Sequence, residues 1–230
     1  SRQYHEALLD GEDPMKAYSA FRLESDIKEG GNNGLNKADL TSKDVFYTKD
    51  EFKSFIKDAR VRGVNIIPEI DVPAHSLALT KVRPDLRYGT YGRDNDHLDL
   101  KNQYDECLEF VLSIFNEYMG NDLADPTFDE DTIVHIGADE YTAAPNAYRQ
   151  FANDMMDYVQ DTGRTVRIWG SLTSIKGNVD VRGDRNLAAT GERAQMNLWN
   201  FGWANIDQMY ELGFDLINCN DGNYYIVPNA

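Results

Sequence analysis

From residue 48 onward, short apolar runs alternate with stretches of helical period, the pattern that yields a parallel sheet with crossover helices. Thr48 followed by Glu51 has the form of a capping box, Phe52, Phe55, Ile56 and Ala59 share one helical face, and Gly63 marks the stop. A strand is predicted over 64–71. A second helix is predicted over 102–119 with Leu108, Val111, Leu112 and Phe115 inward, feeding a strand over 132–139. A third helix starts at Pro145, carries the stripe Tyr148, Phe151, Met155 and Val159, and stops at Gly163. Strands at 165–170, 195–199 and 214–218 follow, with a short helix at 205–212 between the last two.

Five such strands, none followed by a Gly-rich phosphate loop, fit an α/β (β/α)8 TIM barrel better than a doubly wound sheet. A further strand is predicted at 18–23, which leaves about two of eight unaccounted for, so we expect an incomplete barrel lacking early strand material and the last strand. Residues 1–230 are read as a single catalytic domain, a fragment of a larger enzyme. Segments 24–47 and 84–100 lack a period and are read as long loops.

Composition narrows the partners. Of 230 residues 41% are hydrophobic, enough for a large core, and 39 acids against 23 bases give a net charge of -16. Such a chain is repelled by phosphate backbones and anionic membranes, so nucleic acid is excluded as a partner, and no apolar run approaches the roughly 20 residues of a membrane span. Cys107 and Cys219 have no metal-ligand spacing and are read as buried thiols.

Active sites of such barrels lie where the strands end. Here the ends carry Glu69, Asp71 and then His75, Asp139 with Glu140, Trp169, Trp199, and Asn218 leading to Tyr224 and Tyr225. Carboxylates supply proton transfer, and indole faces offer walls for a sugar ring. Glu69 or Asp71 alone reads as a helix cap or loop partner, His135 as a core histidine, and His75 as a structural loop histidine. Asp139 and Glu140 differ. Each carboxylate raises the cost of ionising the other, which can keep one protonated as a general acid; on an extended strand the two side chains point to opposite sides, so a shared role would need a bend and different roles are the simpler expectation. A metal site among His75, His135, Asp139 and Glu140 has no supporting His-x-His or His-x-x-x-His pair, so neither metal nor cofactor is expected.

These residues resemble a known family. The run from His135 through Gly137 to Asp139 and Glu140 is similar to the His-x-Gly-x-Asp-Glu signature of glycoside hydrolase family 20, the β-N-acetylhexosaminidases. The run from Glu69 through Asp71 and Pro73 to His75 and Ser76 resembles its second block, with Ala74 where Gly is usual. Residues 20–24 around Arg22 and residues 224–226 resemble two further segments.

The resemblance implies a retaining exo-glycosidase that removes terminal β-linked N-acetylhexosamine, with the substrate's 2-acetamido oxygen as nucleophile. It implies Glu140 as acid and base, Asp139 as the acetamido partner, Tyr225 (or Tyr224) as donor to the acetamido oxygen, and His75 behind Glu140. Trp169 and Trp199 would wall the pocket, and Arg22 would bind outer hydroxyls. A relay aspartate from an early strand and a tryptophan from the last strand, usual in the family, are not found. Lacto-N-biosidase activity is an equal alternative within the family, and a carbohydrate-binding fragment without catalysis is one outside it. The wording between blocks resembles secreted or surface-attached enzymes of Gram-positive bacteria, so an extracellular glycan substrate is expected.

Overall fold

The computed structural model describes residues 19–27, 40–42, 45–89 and 96–225. Tyr18, Tyr91, Arg93, Asp94, Ile226 and most of the 24–47 segment lie outside the described residues. Two compact units are formed, Ser1–Ile66 with His75–Asp129, and Ile67–Ala74 with Glu130–Ala230.

The first unit holds helix α1 (Lys49–Val61), α2 (Leu77–Val82), a 3-10 turn at Pro84–Leu86, and α3 (Tyr104–Met119). The capping box forms as predicted: the Thr48 hydroxyl accepts from the Glu51 amide, and the Glu51 carboxylate accepts from the Thr48 amide at 2.8 Å. Ile56 and Ala59 are buried, whereas Phe55 stands at the edge of the stripe and stacks on Tyr47 at 6.0 Å. In α3 the buried face is Cys107, Phe110, Val111, Ile114, Phe115 and Tyr118, rotated from the one predicted. Leu108 and Leu112 are only half-buried, because this helix is apolar over more than one stripe and packing selects the aromatic side.

The strand predicted at 18–23 is reduced, among the described residues, to two isolated parallel bridges, Phe21 to Thr41 and Leu23 to Tyr47.

The second unit is a five-stranded parallel sheet in the order β1-β2-β3-β4-β5, made of Glu69–Val72, Val134–Gly137, Val166–Trp169, Gln195–Leu198 and Asp215–Asn218. Strand order follows chain order without the reversal that a doubly wound sheet needs, as in the wall of a (β/α)8 barrel. Each strand pairs over four residues, shorter than its apolar run; at β1, Pro68 has no N–H to donate and pairing begins beyond it. Helices α4 (Pro145–Asp161), α5 (Leu187–Thr190), α6 (Ile206–Glu211) and α7 (Asp221–Tyr224) complete this unit.

One sheet face buries Val134, Ile136, Val166, Ile168, Met196 and Leu198. The predicted α4 stripe of Tyr148, Phe151, Met155 and Val159 is fully buried, and α4 packs on β2 and β3. The other face is polar: Glu69, His135, Arg167, Gln195 and Asp215 stand in register across all five strands. Barrel interiors usually carry branched aliphatic layers, so this polar row marks a sheet face built for chemistry.

Cys107 is buried and Cys219 half-buried, both free, and burial pushes the Cys107 thiol up to about 12, which makes it inert. Among the described residues, no helix is long and apolar enough to cross a membrane.

Replacing Thr48 by Ala removes one side of the capping box and is expected to lower stability by about 1 kcal/mol, read as a reduced urea midpoint at unchanged slope. An unchanged midpoint would show that the cap contributes nothing.

Candidate active site

At the C-terminal end of β2 the chain leaves the sheet through a sharp elbow. Gly137, Ala138 and Glu140 all have positive φ, at 72°, 70° and 50°. Glycine adopts this region freely, but for Ala138 and Glu140 it costs about 1–2 kcal/mol each, strain that the surroundings must offset. The elbow bends the chain at the acid pair, with Asp139 inside it, so Asp139 and Glu140 do not follow the alternation of an extended strand.

Gly137 is needed for a second reason. A Cβ there would lie 1.8 Å from Asp71 Oδ1 and 2.6 Å from Asp71 Cα, so the elbow rests directly on β1. The pairing itself shifts at this point: Glu69 faces His135 and Val72 faces Gly137, which places one extra residue on β1, a bulge that re-aims Asp71.

The elbow's backbone polar groups are satisfied one by one. His135 Nδ1 accepts the Gly137 amide at 3.0 Å, Val72 O accepts the Ala138 amide at 3.0 Å, and the Tyr148 hydroxyl donates to Ala138 O at 2.6 Å. Ser171 Oγ accepts the Glu140 amide at 3.3 Å.

His135 is a core histidine, as its mid-strand place predicts. Burial, with Arg167 as a second cause, holds its imidazole down at about 3. Glu69 Oε1 lies 3.9 Å from its Nδ1, a distance that would count as an ion pair for a charged ring. The ring is neutral and Nδ1 already accepts the Gly137 amide, so the contact is not an ion pair.

Glu69 instead accepts the Trp169 indole N–H at 2.7 Å, and the Trp169 ring packs on His135 at 5.0 Å. Thus Glu69 and His135 fix the orientation of Trp169. Arg167 Nε donates to Gln195 at 2.8 Å and remains charged beside them.

Trp199 stands at the end of β4, its indole N–H donating to Gly170 O at 2.9 Å and its ring stacked on Trp203 at 5.8 Å. Asn200 donates to Asp221 at 2.8 Å and ties α7 to the same end. Tyr224 and Tyr225 therefore close a short helix rather than a strand, and both are exposed. Burial first, then the charges of Cys219, Asp139, Asp221 and Glu69, push the Tyr225 phenol up.

In the other unit, Arg22 donates to Ser42 Oγ at 2.7 Å and to Val45 O at 2.8 Å, bracing its own loop. His75 has φ 52° and keeps Asp96 at 3.8 Å, while His97 Nδ1 lies 2.9 Å from the same carboxylate. Burial alone would raise Asp96, but hydrogen bonds from His75 and His97 outweigh it and hold the carboxyl well below its usual range.

Asp96, the hydrogen bond by which Glu69 braces Trp169, and the elbow contacts of Asp71, Tyr148 and Ser171 escaped the sequence reading. Glu69 and Asp71 carried a signal as strand-end acids. Tyr148 appeared only as part of an apolar stripe, and Ser171 gave none.

Two outcomes follow from this geometry. Gly137→Ala is expected to cost roughly 4 kcal/mol or more, since the new methyl meets β1 backbone, whereas Gly163→Ala, with φ +80° but nothing within 4 Å, should cost about 1–2 kcal/mol. Urea denaturation of both variants checks this, and equal losses would refute the close approach.

The second concerns pH. His135 has a folded-state pKa below its unfolded value, so its contribution to stability is complete above about pH 6.5 and is lost as pH falls towards 3, where the unfolded state takes the proton first. His135→Gln should flatten the stability profile over that window, as measured by urea midpoints between pH 7 and pH 4.

Comparison with known proteins agrees with this layout. The profile for the glycosyl hydrolase family 20 catalytic domain matches residues 16–229. Lacto-N-biosidase of Bifidobacterium bifidum is 25% identical over 205 residues, covering 78% of this chain and 17% of that protein. β-Hexosaminidase of Emericella nidulans is 27% identical over 207 residues, covering 74% of this chain and 32% of that protein. The chain thus spans a third or less of these relatives' length.

Among solved structures, the GH20 catalytic modules of the pneumococcal exo-β-D-N-acetylglucosaminidase StrH align with a TM-score of 0.64 at 18% identity, covering 93% of this chain and 57% of that one. Dispersin B aligns with a TM-score of 0.60 at 18% identity, covering 99% and 71%. The likeness fixes the fold class as part of a (β/α)8 barrel, and the profile match shows that the chain belongs to glycosyl hydrolase family 20.

Proposed function

We propose that residues 1–230 form part of the catalytic region of a retaining exo-glycosidase that removes terminal β-linked N-acetylhexosamine from glycans. The observation that carries this reading is the strained elbow at the end of β2, which takes the successive carboxyls of Asp139 and Glu140 out of the alternation of an extended strand. Family membership and the hexosaminidase relatives support it.

The steps follow from the side chains. Glu140, protonated, gives its proton to the glycosidic oxygen as the bond to C1 breaks. The substrate's acetamido oxygen closes on C1 from the other side, forming an oxazolinium ion, so the enzyme needs no nucleophile of its own. Asp139 accepts the acetamido N–H and stabilises the growing positive charge, and Tyr225 donates to the acetamido oxygen. Glu140, now ionised, takes a proton from water as it attacks C1, which restores the β-configuration.

Trp169, braced by Glu69 and His135, and Trp199, braced by Gly170, serve as apolar walls for the ring and acetamido methyl, with Tyr224 at the rim. We assign Arg22 to the outer hydroxyls and His75 to the proton relay. Asp96, 3.8 Å from His75 Nδ1, is a carboxylate partner for that histidine.

A second reading within the family, release of a galactosyl-N-acetylglucosamine disaccharide, is favoured by the lacto-N-biosidase relative. An extracellular or cell-surface setting suits either reading, because the substrate is a glycan. A sugar-binding piece without catalysis has the intact acid pair against it.

Assay of the full-length parent with a chromogenic N-acetyl-β-glucosaminide decides the matter. Glu140→Gln is expected to lower kcat about 10²- to 10⁴-fold and Asp139→Asn about 10²- to 10³-fold, with the released sugar initially in the β-anomer by NMR. Full turnover by Glu140→Gln would rule the assignment out. Release of an intact disaccharide from lacto-N-tetraose would select the second reading.

A further inference from the structure

Two buried hydroxyls outside both sequence signatures hold the elbow from opposite ends. Tyr148 is fully buried on α4, with its ring stacked on Tyr141 at 6.3 Å and 11°, so it cannot swing away from the Ala138 carbonyl. Burial first and the charge of Asp139 second push its phenol up, so it stays a donor across any working pH. Ser171, also fully buried, sits just beyond β3 and accepts the Glu140 amide. Each grips the backbone of a residue with positive φ.

We propose that Tyr148 and Ser171 act together as positioning residues, a hydroxyl clamp that sets the aim of the Glu140 and Asp139 carboxyls. The inference rests on the reading of Glu140 as general acid. Without the clamp, Ala138 and Glu140 relax towards ordinary backbone conformations and the proton is delivered off line.

Leaving-group dependence separates aim from mere stability. A poor alkoxide leaving group depends on the general acid, whereas dinitrophenolate leaves with little help. In the full-length parent, Ser171→Ala is expected to lower kcat on a β-linked disaccharide roughly 10- to 100-fold, part of the 10²–10⁴ that general acid catalysis supplies. Loss on the dinitrophenyl N-acetyl-β-glucosaminide should stay under about 5-fold, with KM nearly constant on both. Tyr148→Phe, which keeps the ring packing, should show the same skew, and the double variant should lose less than the product of the two. Equal losses on the two substrates, or no loss, would overturn the clamp.

If the unaltered parent cleaves neither substrate, the functional reading fails, and amide hydrogen exchange judges the clamp by itself. Ser171→Ala should then speed exchange at Glu140 with an unchanged global unfolding midpoint. Unaltered exchange there would overturn it.

Discussion

Everything at this site depends on the close approach between the end of β2 and Asp71 of β1. No side chain fits at Gly137, and no ordinary backbone conformation carries the chain away from that contact. The bulge in β1 accommodates the approach from one side, and the elbow accommodates it from the other. Because the elbow rotates the chain after Gly137, Asp139 and Glu140 no longer alternate across a strand as extended neighbours would. The turn, and not strand alternation, thus sets where these two consecutive carboxyls stand, at a cost in backbone strain borne by hydrogen bonds from β1, α4 and the segment after β3.

The electrostatics of the sheet face serve the same end. Across the row Glu69, His135, Arg167, Gln195 and Asp215, only His135 could switch its charge near neutral pH, and burial beside Arg167 prevents it. With the imidazole neutral, its Nδ1 lone pair stays available to the Gly137 amide and the Trp169 ring keeps its seat. A charged His135 would withdraw that acceptor and draw Glu69 away from the indole. The fixed neutral ring keeps acid chemistry at the strand end independent of titration beneath it.

The architecture was legible in the sequence wherever period and punctuation agreed. The strands and the main helices lie where the apolar rhythm puts them, and the capping box at Thr48 and the stop at Gly163 formed because such local signals need no distant partner. The face of α3 was half legible: Val111 and Phe115 are buried as predicted, whereas Leu108 and Leu112 flank the buried side, because the apolar stripe is wider than the face that packs. The 18–23 strand is reduced, among the described residues, to isolated bridges, since six residues of extended propensity do not specify a ladder.

At the site, the acids and indoles were visible as chemistry-bearing residues at strand ends. Their supports were not: a tyrosine inside an apolar stripe and a serine in a loop look ordinary, and only coordinates reveal that both reach the same turn.

The sources of those supports have a consequence for biosynthesis. Val72 precedes the acid pair in the chain, but Tyr148 and Ser171 follow it, the latter by more than thirty positions. A polypeptide emerging from the ribosome exposes Asp139 and Glu140 well before it has made the groups that direct them. The turn can therefore reach its fully bonded form only after the chain beyond the third strand has been synthesised and docked, and a shorter translation product lacks that form.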